Sequence, residues 1–217
     1  MNATEEIQTS DFFKNLLNLF NNSLDRVNKK ITNIVCFGIG SISSSKTSQY
    51  QLALLLNLSK KFQSPVEVFD PIFSELDKKI LLELKLILLS ENCVGKKKLN
   101  SWDEVTLFFL PHCPRELSNN LLYANWDSYL LQNCIIFANS FEKIRINTPR
   151  RFLTDYHYLL QAENIVSESA VVNNFHFPDI FNDLSIHTFH CDQLDSVPSN
   201  FWNCPEPIYS DKSELIS

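Results

Sequence analysis

The residues best able to do chemistry fall in four short clusters, each closing an apolar run. Gly38, Gly40, Ser41 and Ser43 follow Ile34-Val-Cys-Phe37, and Asp70-Pro71 follows Val66-Glu-Val-Phe69. His112-Cys113 follows Val105 to Pro111, and Asn139-Ser140 follows Cys134-Ile-Ile-Phe-Ala138. Strand, tight glycine turn and helix is how a doubly wound α/β fold brings backbone N–H groups to a phosphate or cofactor. The chain has three glycines, where average usage of about 7% would supply about fifteen. Two of the three are spent in this turn. Ser43 stands where G-x-G-x-x-G wants its third glycine, which weighs against a dinucleotide. The plainer reading of Gly38 and Gly40 is a tight turn at a strand end.

The other clusters also carry two readings each. Asp70 stands where a carboxylate could accept hydrogen bonds from a ribose, but it lies farther from the glycines than the usual ~20 residues. Asp-Pro is equally a turn initiator. His112 and Cys113 could supply an acid/base and a thiolate. Neighbours on a strand tip point apart, however, and a nucleophilic thiol needs a lowered pKa. His187-Thr-Phe-His190-Cys191 lacks a second ligand cluster at zinc-like spacing, so a structural role is favoured and no metal is expected. Neither G-x-S-x-G nor G-x-x-x-x-G-K-[ST] occurs, and no catalytic residue set or cofactor is identified.

The elements that must position these clusters alternate. Phe12, Phe13, Leu16, Leu17, Phe20, Leu24 and Val27 recur at helical spacing behind Ser10-Asp11. Strands are expected at 32–37, 66–69, 87–90, 105–110, 134–138 and 185–189. Helices are expected at 49–62, from Ser74 to about Leu84, at 115–125 and at 149–161. The helix at 49–62 is apolar on nearly every side, as a helix covered by neighbours would be. This alternation predicts a single Rossmann-like three-layer α/β domain with a mostly parallel sheet. The expected divisions are an N-terminal helical extension (1–30), the α/β domain (31–190) and a polar C-terminal tail (191–217).

At 217 residues the chain can bury a full core. Its formal charge of −6 argues against direct nucleic-acid binding. The basic groups Lys96-Lys97-Lys98 and Lys143 to Arg151 read as solvated faces. No stretch nears the ~20 apolar residues of a membrane span. The start, Met-Asn-Ala-Thr-Glu-Glu, lacks a signal-peptide pattern. Six cysteines, two inside apolar runs, read as free thiols in a reducing compartment. The expected location is the cytoplasm, with the nucleus as a further site.

Several motifs together resemble the Sensitivity-to-Red-Light-Reduced, or SRR-like, family. They are Val35-Cys-Phe-Gly-Ile-Gly40, Gln51-Leu-Ala-Leu-Leu-Leu56, Val68-Phe-Asp-Pro-Ile-Phe73, Thr106-Leu-Phe-Phe-Leu-Pro-His-Cys-Pro114, Leu121-Leu-Tyr-Ala-Asn-Trp126 and Ile136-Phe-Ala-Asn-Ser-Phe141. Phe181-Asn-Asp-Leu-Ser185 is a weaker late match, and the resemblance covers about residues 31–190. It implies a regulatory role with protein partners, in circadian-clock input or in regulation of haem biosynthesis, and it implies no established catalytic residues.

Three functional readings follow. One is a regulatory module that binds a small ligand. The second is an enzyme of methyltransferase-like or nucleotide-using type. The third is haem binding at Cys113-Pro114 or Cys204-Pro205. For a small, nucleotide-like ligand, Gly38, Gly40, Ser41, Asp70, His112, Cys113, Asn139 and Ser140 are expected to border one pocket, because parallel neighbours end on the same sheet edge.

Overall fold

A computed structural model describes residues 3–27, 29–99, 101 and 103–209. In chain order the elements are α1 (Ala3–Thr9), α2 (Asp11–Val27), β1 (Ile31–Phe37), α3 (Lys46–Phe62), β2 (Val66–Phe69), α4 (Glu75–Glu83), β3 (Ile87–Leu88), β4 (Val105–Leu110), α5 (Arg115–Ala124), α6 (Ser128–Leu131), β5 (Cys134–Asn139), α7 (Phe141–Asn147), α8 (Arg150–Leu153), α9 (His157–Gln161), β6 (Val166–Ala170), β7 (Leu184–Phe189) and α10 (Cys191–Leu194).

The strands form one seven-stranded sheet in the order β3-β2-β1-β4-β5-β7-β6. The first five are parallel, and β7 runs antiparallel to both β5 and β6. Val35 registers with Phe108, Phe108 with Ile136, and Cys36 with Val68. Winding starts at β1 and steps outward to β2 and β3. It then returns to β4 on the other flank, so the sheet's switch point lies between β1 and β4.

The central strands read as continuous apolar runs because both faces are covered. Ile34, Cys36, Leu107, Phe109, Ile135 and Phe137 pack into one core with α2, α3 and α4. Val35, Phe37, Phe108, Leu110, Ile136 and Ala138 pack into the other with α5 and α9. Layer, sheet, layer is thus the expected three-layer α/β domain.

The structure departs from the sequence expectation in four places. A short helix, α1, precedes α2 and lies across α3, with Asn57 Nδ2 donating to Thr4 O (2.9 Å) and Tyr50 Oη donating to Glu6 Oε2 (2.8 Å). It supplies the cover that an all-round apolar α3 requires. The expected helix at 149–161 is broken into α8, a 3-10 turn and α9. Three elements before the C-terminal segment, α6, α7 and β6, were not expected.

The fourth departure is the C-terminal segment, expected to be a polar tail. Residues 191–209 instead close over the second core. Leu194 and Tyr209 are buried. Trp126 Nε1 donates to Phe201 O (3.1 Å) and Tyr158 Oη donates to Pro205 O (2.8 Å). Tyr209 Oη donates to Asn120 Oδ1 (2.7 Å) and accepts from Asn119 Nδ2 (2.9 Å). Composition hides this docking because its anchors, Leu194, Val197, Phe201, Trp202 and Tyr209, are diluted among polar and proline residues. Residues 210–217 lie outside the described residues.

Candidate functional site

Gly38 and Gly40 both adopt left-handed backbone, with φ of +67° and +80°. Two buried carboxylates hold the loop in that shape. Asp70 Oδ2 accepts the Gly40 N–H (2.7 Å) and its Oδ1 accepts the Ile72 N–H (3.0 Å). Asp77 Oδ1 accepts the Ser43 N–H (2.7 Å). Its Oδ2 accepts from Ser74 N–H (3.0 Å), Ser74 Oγ (2.7 Å) and Ser41 Oγ (3.3 Å). Ser74 and Asp77 also form the capping box that starts α4. One aspartate therefore joins the glycine loop to the start of α4, beyond α3 and β2.

Asp77 is fully buried. Burial alone would raise its pKa. The hydrogen bonds from the Ser74 hydroxyl, the Ser43 N–H and the Ser74 N–H outweigh that and hold the carboxyl well below the usual carboxylate range.

The reason for each glycine is packing as well as backbone shape. A Cβ on Gly38 would sit 2.4 Å from Cys113 Sγ, and one on Gly40 would sit 2.6 Å from Ser48 Oγ. Ser41 is turned toward Asp77 and also receives the Ser44 hydroxyl (2.8 Å).

His112 is strained, with φ of +55°. Asn139 clamps it from the tip of β5: its Oδ1 accepts the His112 N–H (3.0 Å) and its Nδ2 donates to Cys113 O (3.3 Å). The His112 ring is tied at Nε2 to Ile180 O (3.0 Å). Cys113 is buried beneath Gly38, with Sγ donating to Phe37 O (3.1 Å). Burial first, and then the Asp70 charge, push its thiol far above the ordinary value. Cys113 is therefore a core thiol and not an activated nucleophile. His187 is also a core residue: it stacks on Phe141 at 3.7 Å, with Nδ1 at 3.0 Å from Ile136 O.

The expected site residues do share one sheet edge, but they do not share one pocket. A cavity of about 390 Å³ opens at the tips of β1 and β2 and is lined by Phe37, Gly38, Gly40, Phe69, Asp70 and Leu117, among others. A second, of about 380 Å³, opens at the tips of β4 and β5 and is lined by His112, Arg115, Asn139, Ser140, Lys143 and Thr148, among others. The Pro111–Pro114 turn and the start of α5 form the wall between them. Pro114 and Leu117 face the first cavity, and His112 and Arg115 face the second. Cys113 and Ser41 line neither. Sequence reasoning missed Asp77, Arg115 and Lys143. Asp77 was visible as a capping-box acid, but its reach to Ser43 is a tertiary fact.

The SRR1 domain family model matches residues 13–188. An SRR1-like protein of Drosophila melanogaster is 30% identical over 218 residues, covering 100% of this chain and 76% of that protein. Protein SENSITIVITY TO RED LIGHT REDUCED 1 of Arabidopsis thaliana is 30% identical over 162 residues, covering 72% of this chain and 58% of the plant protein. Among solved structures, the crystal structure of MtNAS in complex with MTA and tNA aligns over 88% of this chain and 69% of that one. Its TM-score is 0.43 and its identity 15%. All of the docked segment 191–209, and all of α1, lie outside the family match.

Two outcomes follow from this geometry. Gly38→Ala should cost about 1–3 kcal/mol in urea denaturation, from left-handed strain and the collision with sulfur. Cys113→Ala in the same chain should relieve part of it, giving a favourable coupling of about 1 kcal/mol. Strict additivity would show that the sulfur contact is not the constraint. Asp77→Asn should cost about 2 kcal/mol at neutral pH. Because the folded pKa is lowered, the wild-type carboxylate contributes fully above its unfolded value near ~3.9 and loses that contribution as pH falls below it. The stability gap should hold from about pH 8 to about pH 5 and close in stronger acid. A gap that does not change with pH would contradict the assignment.

Proposed function

The chain belongs to the SRR1 domain family, and we propose that it acts there as a regulatory module that binds a small nucleoside-like ligand in the cavity beside the glycine loop. The observation that carries this reading is the chemistry of that cavity. It lies at the tips of β1 and β2, beside the switch point, where open α/β sheets take their ligands. Its walls are mainly apolar, with Phe37, Phe69, Pro71 and Val94 able to cover a flat ring. Asp70 and Asn92 are its polar side chains.

No lysine or arginine is among the described lining residues, which disfavours a polyphosphate and favours a neutral or cationic ligand. Each Asp70 oxygen already accepts one backbone N–H, and each retains a lone pair that a ligand hydroxyl could use. Regulation rather than catalysis is supported by the same list. Asp70 is the only titratable side chain among the described lining residues, and its position is fixed by the loop it holds. The enzyme reading would need a second reactive group at this wall.

The wider role has two supports. The plant relative is named for reduced sensitivity to red light, which favours a signalling pathway with clock input. The SRR-like resemblance adds regulation of haem biosynthesis as a second pathway, with protein partners in either. Among the described residues, no helix is long and apolar enough to cross a membrane; the cytoplasm, with the nucleus as a further site, belongs to this proposal. Haem as the bound ligand is poorly served at Cys113, whose sulfur is sealed under the loop.

The test is a thermal-shift and calorimetric series with adenosine and S-adenosylmethionine on the wild type and on Leu117→Trp, which fills the cavity. The reading expects saturable stabilisation that Leu117→Trp abolishes while circular dichroism stays native. No saturable binding, or equal binding in the filled variant, would overturn it. Slow conversion of a bound methyl donor would move the assignment to the enzyme.

A further inference from the structure

The second cavity differs from the first in its chemistry, and the nucleoside proposal does not use it. Two cations line it, Arg115 and Lys143, together with Ser140, Thr148, Asn147 and one carboxylate, Asp183. We propose that it binds the phosphoryl group of a small phosphomonoester.

Arg115 is built to receive such a group. Its guanidinium lies over the Tyr156 ring at 4.6 Å, its Nη1 donates to Thr148 Oγ1 (3.4 Å), and its Nε sits 3.6 Å from Glu116 Oε1. Glu116 is itself buried and receives the Tyr156 hydroxyl. The Thr148 hydroxyl donates to Ile144 O (2.6 Å), which leaves its lone pairs for the arginine. A planar fork held from three sides has little freedom to lose on meeting an oxyanion.

Lys143 supplies the second charge from α7. It is ion-paired with Asp183, and both side chains are more than half exposed, at 58% and 56%. Such a pair is weak and easily exchanged. This fixes the charge of the ligand. A monoanion taking Lys143 from Asp183 would only replace one carboxylate with another. A phosphomonoester, nearly dianionic at neutral pH, adds charge that Arg115 can share. Donors approach from Arg115 on α5 and from Lys143 and Asn147 on α7, which suits a tetrahedral group better than a flat carboxylate. The volume of about 380 Å³ leaves room for a small organic body beyond the phosphate.

The test is isothermal titration of the full chain at fixed ionic strength. The ligands are inorganic phosphate, glycerol 3-phosphate, acetate and a phosphoserine peptide. Saturable binding of glycerol 3-phosphate is expected, tighter than phosphate and at least tenfold tighter than acetate. Lys143→Gln, on an exposed side chain, should weaken it at least tenfold. Asp183→Asn should strengthen it several-fold, because it removes the competing carboxylate while asparagine tolerates the left-handed backbone at 183 (φ +56°). Mere damage to the fold would not produce that opposite sign. Leu117→Trp should leave this binding intact, which separates it from the nucleoside proposal. No saturable binding, equal binding of acetate, no response to Lys143→Gln, or binding of the phosphopeptide alone would each overturn the assignment.

Discussion

The site depends on one constraint: backbone N–H groups of the glycine loop are satisfied by carboxylates from the β2–α4 connection and the first turn of α4. A left-handed loop at the end of β1 turns its N–H groups inward, away from any strand partner. Buried donors without acceptors are costly. Asp70 and Asp77 supply the acceptors at Gly40 and Ser43. Asp77 also caps α4, so loop, strand tip and helix start behave as one unit. The same arrangement sets the floor of the first cavity, and it explains why an acid at the tip of β2 is structural even before any ligand is considered.

The central parallel strands and the edge where sites gather were legible in the residues, and for a clear reason. A strand buried on both faces must be written as a run such as Val105 to Leu110. Polar and turn residues can then appear only where the run ends. Elements without that obligation were not legible. Val166-Ser-Glu-Ser-Ala170 is a polar edge strand that pairs on one side only. In α1, Ile7 is the buried residue of a single short helix. Docking of the C-terminal segment through Tyr209 depends on Asn119 and Asn120 in α5, some ninety residues earlier in the chain.

At the site, the sequence named the right edge and misjudged how it is divided. Eight residues were expected around one pocket, and the Pro111–Pro114 turn splits them. Asn139 shows why. Its amide reads as a ligand group, but both of its ends are spent holding His112 and Cys113. Asp70 fits the turn-initiator reading through the Ile72 N–H and also keeps its place on the first cavity. The charge separation between the two cavities, with no lysine or arginine among the described residues lining the first and two among those lining the second, appears only when α5 and α7 are placed in space.

Native-state amide hydrogen exchange at Gly40 and Ser43 tests the central claim most directly. Both lie in a loop that composition would call mobile. If their N–H groups are held by Asp70 and Asp77, both should exchange slowly, with protection close to that of the β1 amides. Exchange at the rate of an open loop would contradict the account.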